Sequence, residues 1–332
     1  MQHFRLRGSR LVSLFAPEHG IRGNAAPGAS VHDTTDRATG LPIYSLYGAN
    51  RAPSAAQMAK LDVLVVDLQD VGTRTWSYVS TTIFAMRAAK TAGKRIIVLD
   101  RPNPIGCAMQ GPILDTAFSS MIGPLPVPLR HGMTMGELMR FANAELGIGA
   151  DLVVVPVKGW HRCEWFDETG LPWVPPSPNL RDLDAVAWYP GTVLIEATNL
   201  SVGRGTDEAF REMGAPWLKT PREAYGYPNG DTLEHVTFTP HAPGDGKYDG
   251  VSCAGVRFWR NNRRYAGGPI LEVIRVLRLL AQSNRDSLRV DSSMMTTRFG
   301  RAWNADSALA WASDQRALAA FRIRVRPYLL YL

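Results

Sequence analysis

Short, unbroken Val/Ile/Leu runs, each closed by turn residues, set the narrowest limits on how this chain can fold. They are LVSLF (11–15), LDVLVVDLQD (61–70), KRIIVLDRPNP (94–104), DLVVVPVKGW (151–160) and TVLIEATN (192–199). Runs of this length and composition suit strands covered on both faces, the habit of parallel sheets. Between the second and third runs, YVSTTIFAMRAAKTAGK repeats its apolar residues at helical spacing and stops at a glycine. Before the fourth, TMGELMRFANAELG offers Thr134 as N-cap, Glu137 at the capping-box position and Gly147 as the stop. Alternating strands and helices joined by right-handed crossovers predict an α/β protein with a doubly wound, mainly parallel sheet. After about residue 205 prolines, glycines and aromatics take over, followed by a predicted strand in VSCAGVRFW and helices near 269–283 and 306–322. We therefore expect a catalytic domain over 1–205 and a smaller α+β domain over 206–332.

With 332 residues, 45% of them hydrophobic and 20% charged, the chain can bury a substantial core. No apolar run approaches the roughly 18–20 residues that a membrane span needs. The net charge of +7 gathers toward the C-terminus, in RFWRNNRRYAGG and FRIRVRPYLLYL. Nucleic-acid binding would need a recognised module as well, and no zinc-finger, RNP or KH pattern is present. Three widely spaced cysteines, Cys107, Cys163 and Cys253, make no disulfide framework or zinc site and leave at least one free thiol. MQHFRLRGSRLVSLF is no signal peptide, since arginines interrupt its short apolar stretch; taken literally, that predicts a cytoplasmic chain.

In open α/β sheets, ligands bind beyond the carboxyl ends of the strands. Here those ends carry Glu18 and His19 in LFAPEHGIRG, Asp67 and Asp70 in DLQD, Asp100, Arg101 and Asn103 in DRPN, and Glu196 and Asn199 in EATN. Carboxylates crowded on one rim repel, so one of them should hold a proton as a general acid must. Arg22, Arg74, Arg101 and Arg204 can offset that charge or grip an anionic substrate group. The competing reading is a structural ion-pair network at a sheet edge. WVPPSPNL (173–180) forms a stiff wall carrying Trp173, Ser177 and Asn179, suited to sugar recognition. His131 and His161 stand alone, with no HExxH or paired spacing for a metal. NLSVGRGTDEAF lacks the Lys-Ser/Thr of a phosphate loop, no GxGxxG follows the first strand, and there is no GxSxG.

Taken together, LFAPEHGIRG, GLPIYSLYG, DVLVVDLQDVGTR, VLDRPNPIG, LPVPLRHGMTMGEL, PPSPNL, YPGTVLIEATNLSVGRGT, GAPW and the terminal YLLYL resemble the DUF1343 family, from about residue 10 to the end. That family includes the exo-β-N-acetylmuramidases grouped as glycoside hydrolase family 171. The resemblance implies a Rossmann-like N-terminal domain, a smaller C-terminal one and an active site in the cleft between them. It implies release of N-acetylmuramic acid from non-reducing ends of peptidoglycan fragments, with no metal or organic cofactor. Glu18 is then the first choice for a catalytic carboxylate, with Asp70, Asp67 or Glu196 as the second group. That partner would lie about 5–5.5 Å away for retention or about 6.5–9.5 Å for inversion, unless the substrate's own acetamido group attacks. Substrate contacts fall to His19, Arg22, Arg74, Tyr78, Arg101, Asn103, Gln110, His131, Asn179, Asn199 and Arg204. Relatives usually carry one more strand before LFAPEHG, and often an acidic residue where Gln110 stands. Those two departures favour an alternative: an inactive relative that binds cell-wall glycans without cleaving them.

Overall fold

The computed structural model describes residues 8–26, 28, 29, 31–220, 232–259 and 268–331. The stretch 1–7 at the head of the chain, the end of the proline- and glycine-rich stretch (221–231) and most of RFWRNNRRYAGG (260–267) lie outside these. The chain opens with β1 (Leu14–Ala16), β2 (Thr34–Thr35) and β3 (Pro42–Ser45), and β3 pairs with β1 in parallel and with β2 antiparallel. A short helix α1 (Ala55–Met58) leads into β4 (Val63–Val66), α2 (Ser77–Thr91) and β5 (Arg95–Leu99). The antiparallel pair β6 (Gln110–Ile113) and β7 (Pro128–Arg130) intervenes before α3 (Met135–Glu145) and β8 (Leu152–Val155). Strands β4, β5 and β8 form an all-parallel sheet in that order, with α2 and α3 as its crossovers.

The expectation of strands covered on both faces does not hold for this sheet. Leu64, Val66, Ile96 and Val98 are buried, whereas Val63, Val65, Val153 and Val155 on the opposite face are 37–46% exposed. An all-apolar run hides this alternation, because valines on a half-covered face read the same as valines in a sandwich. The parallel pairing is also divided between two sheets, β1-β3-β2 and β4-β5-β8, within a mixed α/β fold of several small sheets.

The helix starts follow their local chemistry. Thr134 accepts from the Glu137 amide and Glu137 accepts from the Thr134 amide, so the capping box closes α3. The run at 192–199 is not a strand: α4 (Leu183–Thr192), capped by Asp182, continues as a 3-10 turn over Val193–Ala197. Every residue from Ala185 to Thr192 is buried, so there is no polar face to reveal a helical period. Gly191 is demanded by close packing, since a Cβ there would sit 2.3 Å from the Pro269 carbonyl oxygen.

The remainder contains β9 (Glu212–Ala215), β10 (Thr232–Phe238) and β11 (Cys253–Trp259) in an antiparallel sheet ordered β10-β11-β9. Helices α5 (Pro269–Ser283), α6 (Ser292–Phe299), α7 (Ala308–Ala312) and α8 (Gln315–Val325) follow. The single helix expected over 306–322 is two, because Asp314 caps a new start through the Ala317 amide. One hydrophobic core runs from Met58 to Val325, with Trp188 of α4 against Phe258 of β11 at 4.8 Å. Cys107 and Cys163 form a disulfide, which the sequence reading did not anticipate, and Cys253 is the buried free thiol.

The YLLYL tail closes back on the parallel sheet. Tyr331 donates to Asp100 Oδ2 at 2.7 Å and accepts from the Val157 amide at 2.9 Å, while the Leu330 amide reaches Glu137 at 2.8 Å. Tyr331→Phe leaves a buried carboxyl and an amide short of a partner, and should lower unfolding free energy by about 1–3 kcal/mol in urea titration; an unchanged midpoint would remove the strap from the stability of the fold.

Candidate functional site

A cavity of about 590 Å³ lies where loops after β1 and β3, the start of α2, the end of α4 and the segments near 204–210, 244–245 and 298 converge. Its lining joins Glu18, His19, Tyr47, Arg51, Trp76 and Ser77 to Tyr189, Glu196, Arg204, Phe210, Asp245 and Arg298, with Ser177 and Leu180 from the proline-rich wall.

Glu18 stands in the turn that ends β1. Its Oε2 accepts from the Ser77 hydroxyl at 2.6 Å and its Oε1 from the Gly28 amide at 3.2 Å. Ser77 is the first residue of α2, so the carboxylate faces the positive end of a 15-residue helix. Tyr47 also hydrogen-bonds Glu18; burial first, and then that carboxylate, push its phenol up to about 12, keeping it a donor at neutral pH. The Tyr78 hydroxyl lies 3.1 Å from the Glu18 carbonyl oxygen and 3.0 Å from that of Pro176, pinning the backbone. Among the described residues, the hydrogen-bond donors on the Glu18 carboxylate, Ser77, Gly28 and Tyr47, are thus neutral.

His19 adopts φ +68°, a region that non-glycine residues rarely enter. Its Nδ1 meets the Ala25 carbonyl oxygen at 2.9 Å, and its ring stacks 5.9 Å from that of Trp76. The Nδ1 contact to a carbonyl fixes the proton there and leaves Nε2 as the acceptor. Burial holds the imidazole below its ordinary value, against the opposing effect of Ala25 and Glu18.

Glu196 lies in the 3-10 turn after α4 and is held quite differently. Arg204 places Nε 3.0 Å from Oε1, with Nη2 on the same oxygen, and Arg298 places Nη2 3.1 Å and Nε 3.3 Å from Oε2. Burial alone would raise this carboxyl; the two guanidiniums outweigh it and hold Glu196 below the ordinary carboxylate value. The Arg204 guanidinium also lies 4.9 Å from the Phe210 ring centroid.

The other sequence candidates lie outside the cavity lining. Asp67 pairs with Arg101 at 2.7 Å on the exposed end of the sheet, which is the structural ion pair considered as the competing reading. Asp70 is buried, accepting the Gly72 amide at 2.6 Å and facing His131 Nε2 at 3.2 Å, while His131 Nδ1 receives the Met133 amide. This pair fixes the turn after β4. Arg22 pairs with Asp36 at 2.9 Å. Arg74 is buried and donates to the carbonyls of Pro112, Val127, Arg298 and Phe299. Asn103 bridges the Met133 carbonyl and Ile105 amide, and Asn199 joins Ser287 to Arg289. Asn179 closes the proline loop through its amide on Ser177 Oγ. Gln110 lies against Arg130 at 3.3 Å, so the residue type at 110 does not set the charge facing Glu18. For Asp67, Asp70, Asn103 and Asn199 the strand-end rule gives a position and leaves the side-chain direction undetermined.

Sequence reasoning missed Tyr47, Arg51, Trp76, Ser77, Tyr189, Asp245 and Arg298. Trp76 and Ser77 had a signal, since they close the turn that follows the DLQDVG run and open a helix. Arg298, inside α6 and far along the chain, had none.

The chain matches family models for the N-terminal region of the exo-β-N-acetylmuramidase NamZ over residues 2–184 and for its C-terminal region over 187–331. It is 45% identical over 257 residues to the peptidoglycan β-N-acetylmuramidase NamZ of Bacillus subtilis strain 168, an alignment covering 76% of this chain and 62% of that protein. The match therefore spans less than two thirds of the relative's length. Two DUF1343 family crystal structures from Bacteroides fragilis superpose with TM-scores of 0.85 and 0.75 at 28% and 32% identity. They align with 98% and 99% of this chain, and with 88% of each of theirs. With both family models placed end to end along a single fold, the chain belongs to the exo-β-N-acetylmuramidase NamZ family.

Proposed function

We propose that this protein is an exo-acting β-N-acetylmuramidase, a glycoside hydrolase that releases N-acetylmuramic acid from the non-reducing end of peptidoglycan fragments within the Glu18 cavity. The single observation that carries the reading is the contrast between two carboxylates in one sugar-sized space. Glu18 is held by neutral donors, so it can exchange a proton with a glycosidic oxygen without breaking an ion pair. Glu196 could do so only by giving up two arginines. In this reading Glu18 protonates the leaving oxygen as the C–O bond breaks, and the conjugate carboxylate recovers its proton in the water-consuming step. Trp76 and Tyr189 offer aromatic surface to the ring, and Ser77 and Tyr47 orient the carboxylate. The parallel β4-β5-β8 sheet with its crossovers we read as the Rossmann-like part, and the antiparallel β10-β11-β9 sheet with the later helices as the smaller domain. Among the described residues no cluster of three or more His, Cys, Asp or Glu side chains could hold a metal, and no helix is long and apolar enough to cross a membrane.

Glu18→Gln should keep the wild-type unfolding midpoint and lose about 10²- to 10⁴-fold in turnover of a MurNAc-GlcNAc disaccharide, read as free N-acetylmuramic acid; full turnover would end the catalytic assignment. Glu196→Gln should act on the fold instead. It strands two buried guanidiniums and should cost about 3–5 kcal/mol in chemical denaturation. The sign with pH follows from the lowered carboxyl: the stabilisation is complete above the unfolded value of 4.5 and is lost as pH falls through the lower folded value. Wild type should therefore lose stability more steeply than Glu196→Gln on acidification below pH 4.5; parallel acid limbs would contradict the ion-pair account.

A further inference from the structure

The charges around Glu196 do not balance. Besides Arg204 and Arg298, Lys247 reaches the same segment, its Nζ donating to the carbonyls of Glu196 at 3.1 Å, Thr198 at 2.6 Å and Leu200 at 3.1 Å. Among the described residues three cations thus surround one buried carboxylate; of the other two acids lining the cavity, Asp245 is exposed and turns back on the Lys247 amide at 3.1 Å, and Glu18 is held by the Ser77 hydroxyl and the Gly28 amide. Burial, with the fields of Arg298 and Arg204, depresses the Lys247 ammonium, against the opposing pull of Asp245 and Glu196. Positive charge in surplus immediately around a buried carboxylate, in a low-dielectric site, favours an anion there.

The guanidinium geometry says where that anion would sit. Arg298 spends Nε and Nη2 on Glu196 Oε2 and carries no hydrogen bond on Nη1 among the described residues. Its side chain is 16% exposed and lines the cavity. Arg204 spends Nε and Nη2 on Oε1, and its Nη1 is buried with no partner. Glu196 therefore works as a bracket: it fixes two planar guanidiniums and neutralises only one of them. The Arg298 backbone is itself fixed by Arg74, which donates to its carbonyl oxygen at 3.0 Å.

We propose that Arg298 selects a sugar bearing a carboxylate, through its uncommitted Nη1, with Glu196 and Arg204 as the positioning residues that hold its guanidinium toward the cavity. The inference rests on the reading of this cavity as the sugar site and adds to it the residue that distinguishes an acidic aminosugar from a neutral one. Arginine rather than lysine suits the task, because the planar fork can satisfy one carboxylate while presenting a donor to another.

The test is calorimetric binding of three probes: N-acetylmuramic acid, its lactyl amide, which has the same size without the charge, and N-acetylglucosamine. Wild type should bind the acid about 10- to 100-fold tighter than the amide. Arg298→Gln leaves Glu196 paired with Arg204 and should bring that ratio to within about threefold of unity, whereas Arg298→Lys, which keeps the charge and loses the fork, should fall between the two. A wild-type ratio near one, or a ratio unchanged in Arg298→Gln, overturns the proposal. If Arg298→Gln does not fold, Arg298→Lys decides alone, an undiminished ratio overturning the assignment. Assaying the wild type on MurNAc-GlcNAc separates this inference from the hydrolase reading. Charge selectivity without cleavage refutes the hydrolase and keeps the anion site; cleavage without charge selectivity refutes the anion site alone.

Discussion

A guanidinium sealed from water must find acceptors inside the protein, and Arg74 shows how much of this fold is arranged to supply them. Four carbonyls converge on it, two from the β6-β7 region and two from the end of α6. Among the described residues no carboxylate pairs with it, and burial together with nearby Arg301 brings it down to about 9. Such a group is costly to bury unless its donors are satisfied, and here its hydrogen bonds also tie separate segments together. Here they join residue 74, just before α2, to residues 298 and 299. That joint links the segment leading into α2, whose Ser77 holds Glu18, to the end of α6, which carries Arg298.

Glu196 applies the same physics with the opposite sign. It reaches the cavity because α4 tightens into a 3-10 turn, bringing it within range of Arg204 eight residues on and of Arg298 on α6. Two carboxylates in one space would ordinarily repel. The arginines remove that conflict by committing one of them, and leave Glu18 among neutral donors. The difference in setting between the two acids therefore comes from their partners, since both are glutamates with the same intrinsic acidity.

Much of the scaffold was legible because its signals are local. The capping box at Thr134 and Glu137 starts α3, and Gly268 followed by Pro269 opens α5 over the span expected from periodicity. The failures have one cause each. Residues 192–199 carry strand-like composition in a segment buried on all sides, and the half-exposed face of β4 and β8 carries valines where polar residues would have marked solvent. The candidate site was most legible at Glu18 and His19, where a strand ends in an acid, an imidazole and a glycine, and in part at Ser177 of the proline wall. Glu196 was found for a reason that does not apply, since a 3-10 turn and no strand carries it, whereas Arg204 was expected to offset a carboxylate and does so on Glu196. Asp67 and Asp70 satisfy the same strand-end rule and yet point elsewhere, one to Arg101 and one to His131. No pattern in one sequence connects Arg298 to Glu18, because the link between them is tertiary.

The turn at 17–25 shows why that one motif could be read. A left-handed residue costs backbone energy unless its surroundings over-determine it. His19 is over-determined: Ala25 donates its amide to the His19 carbonyl at 3.0 Å while the Ala25 carbonyl receives the ring, and Trp76 covers the imidazole face. Glycine would adopt the same backbone at less cost. A chain that keeps histidine there retains an imidazole with a fixed tautomer beside Glu18, and the strain is tolerable because Tyr78 and Ser77, both from the first turn of α2, anchor the preceding residue. Local expense at His19 is thus the means by which two consecutive side chains, one acidic and one basic, are both turned into the same cavity.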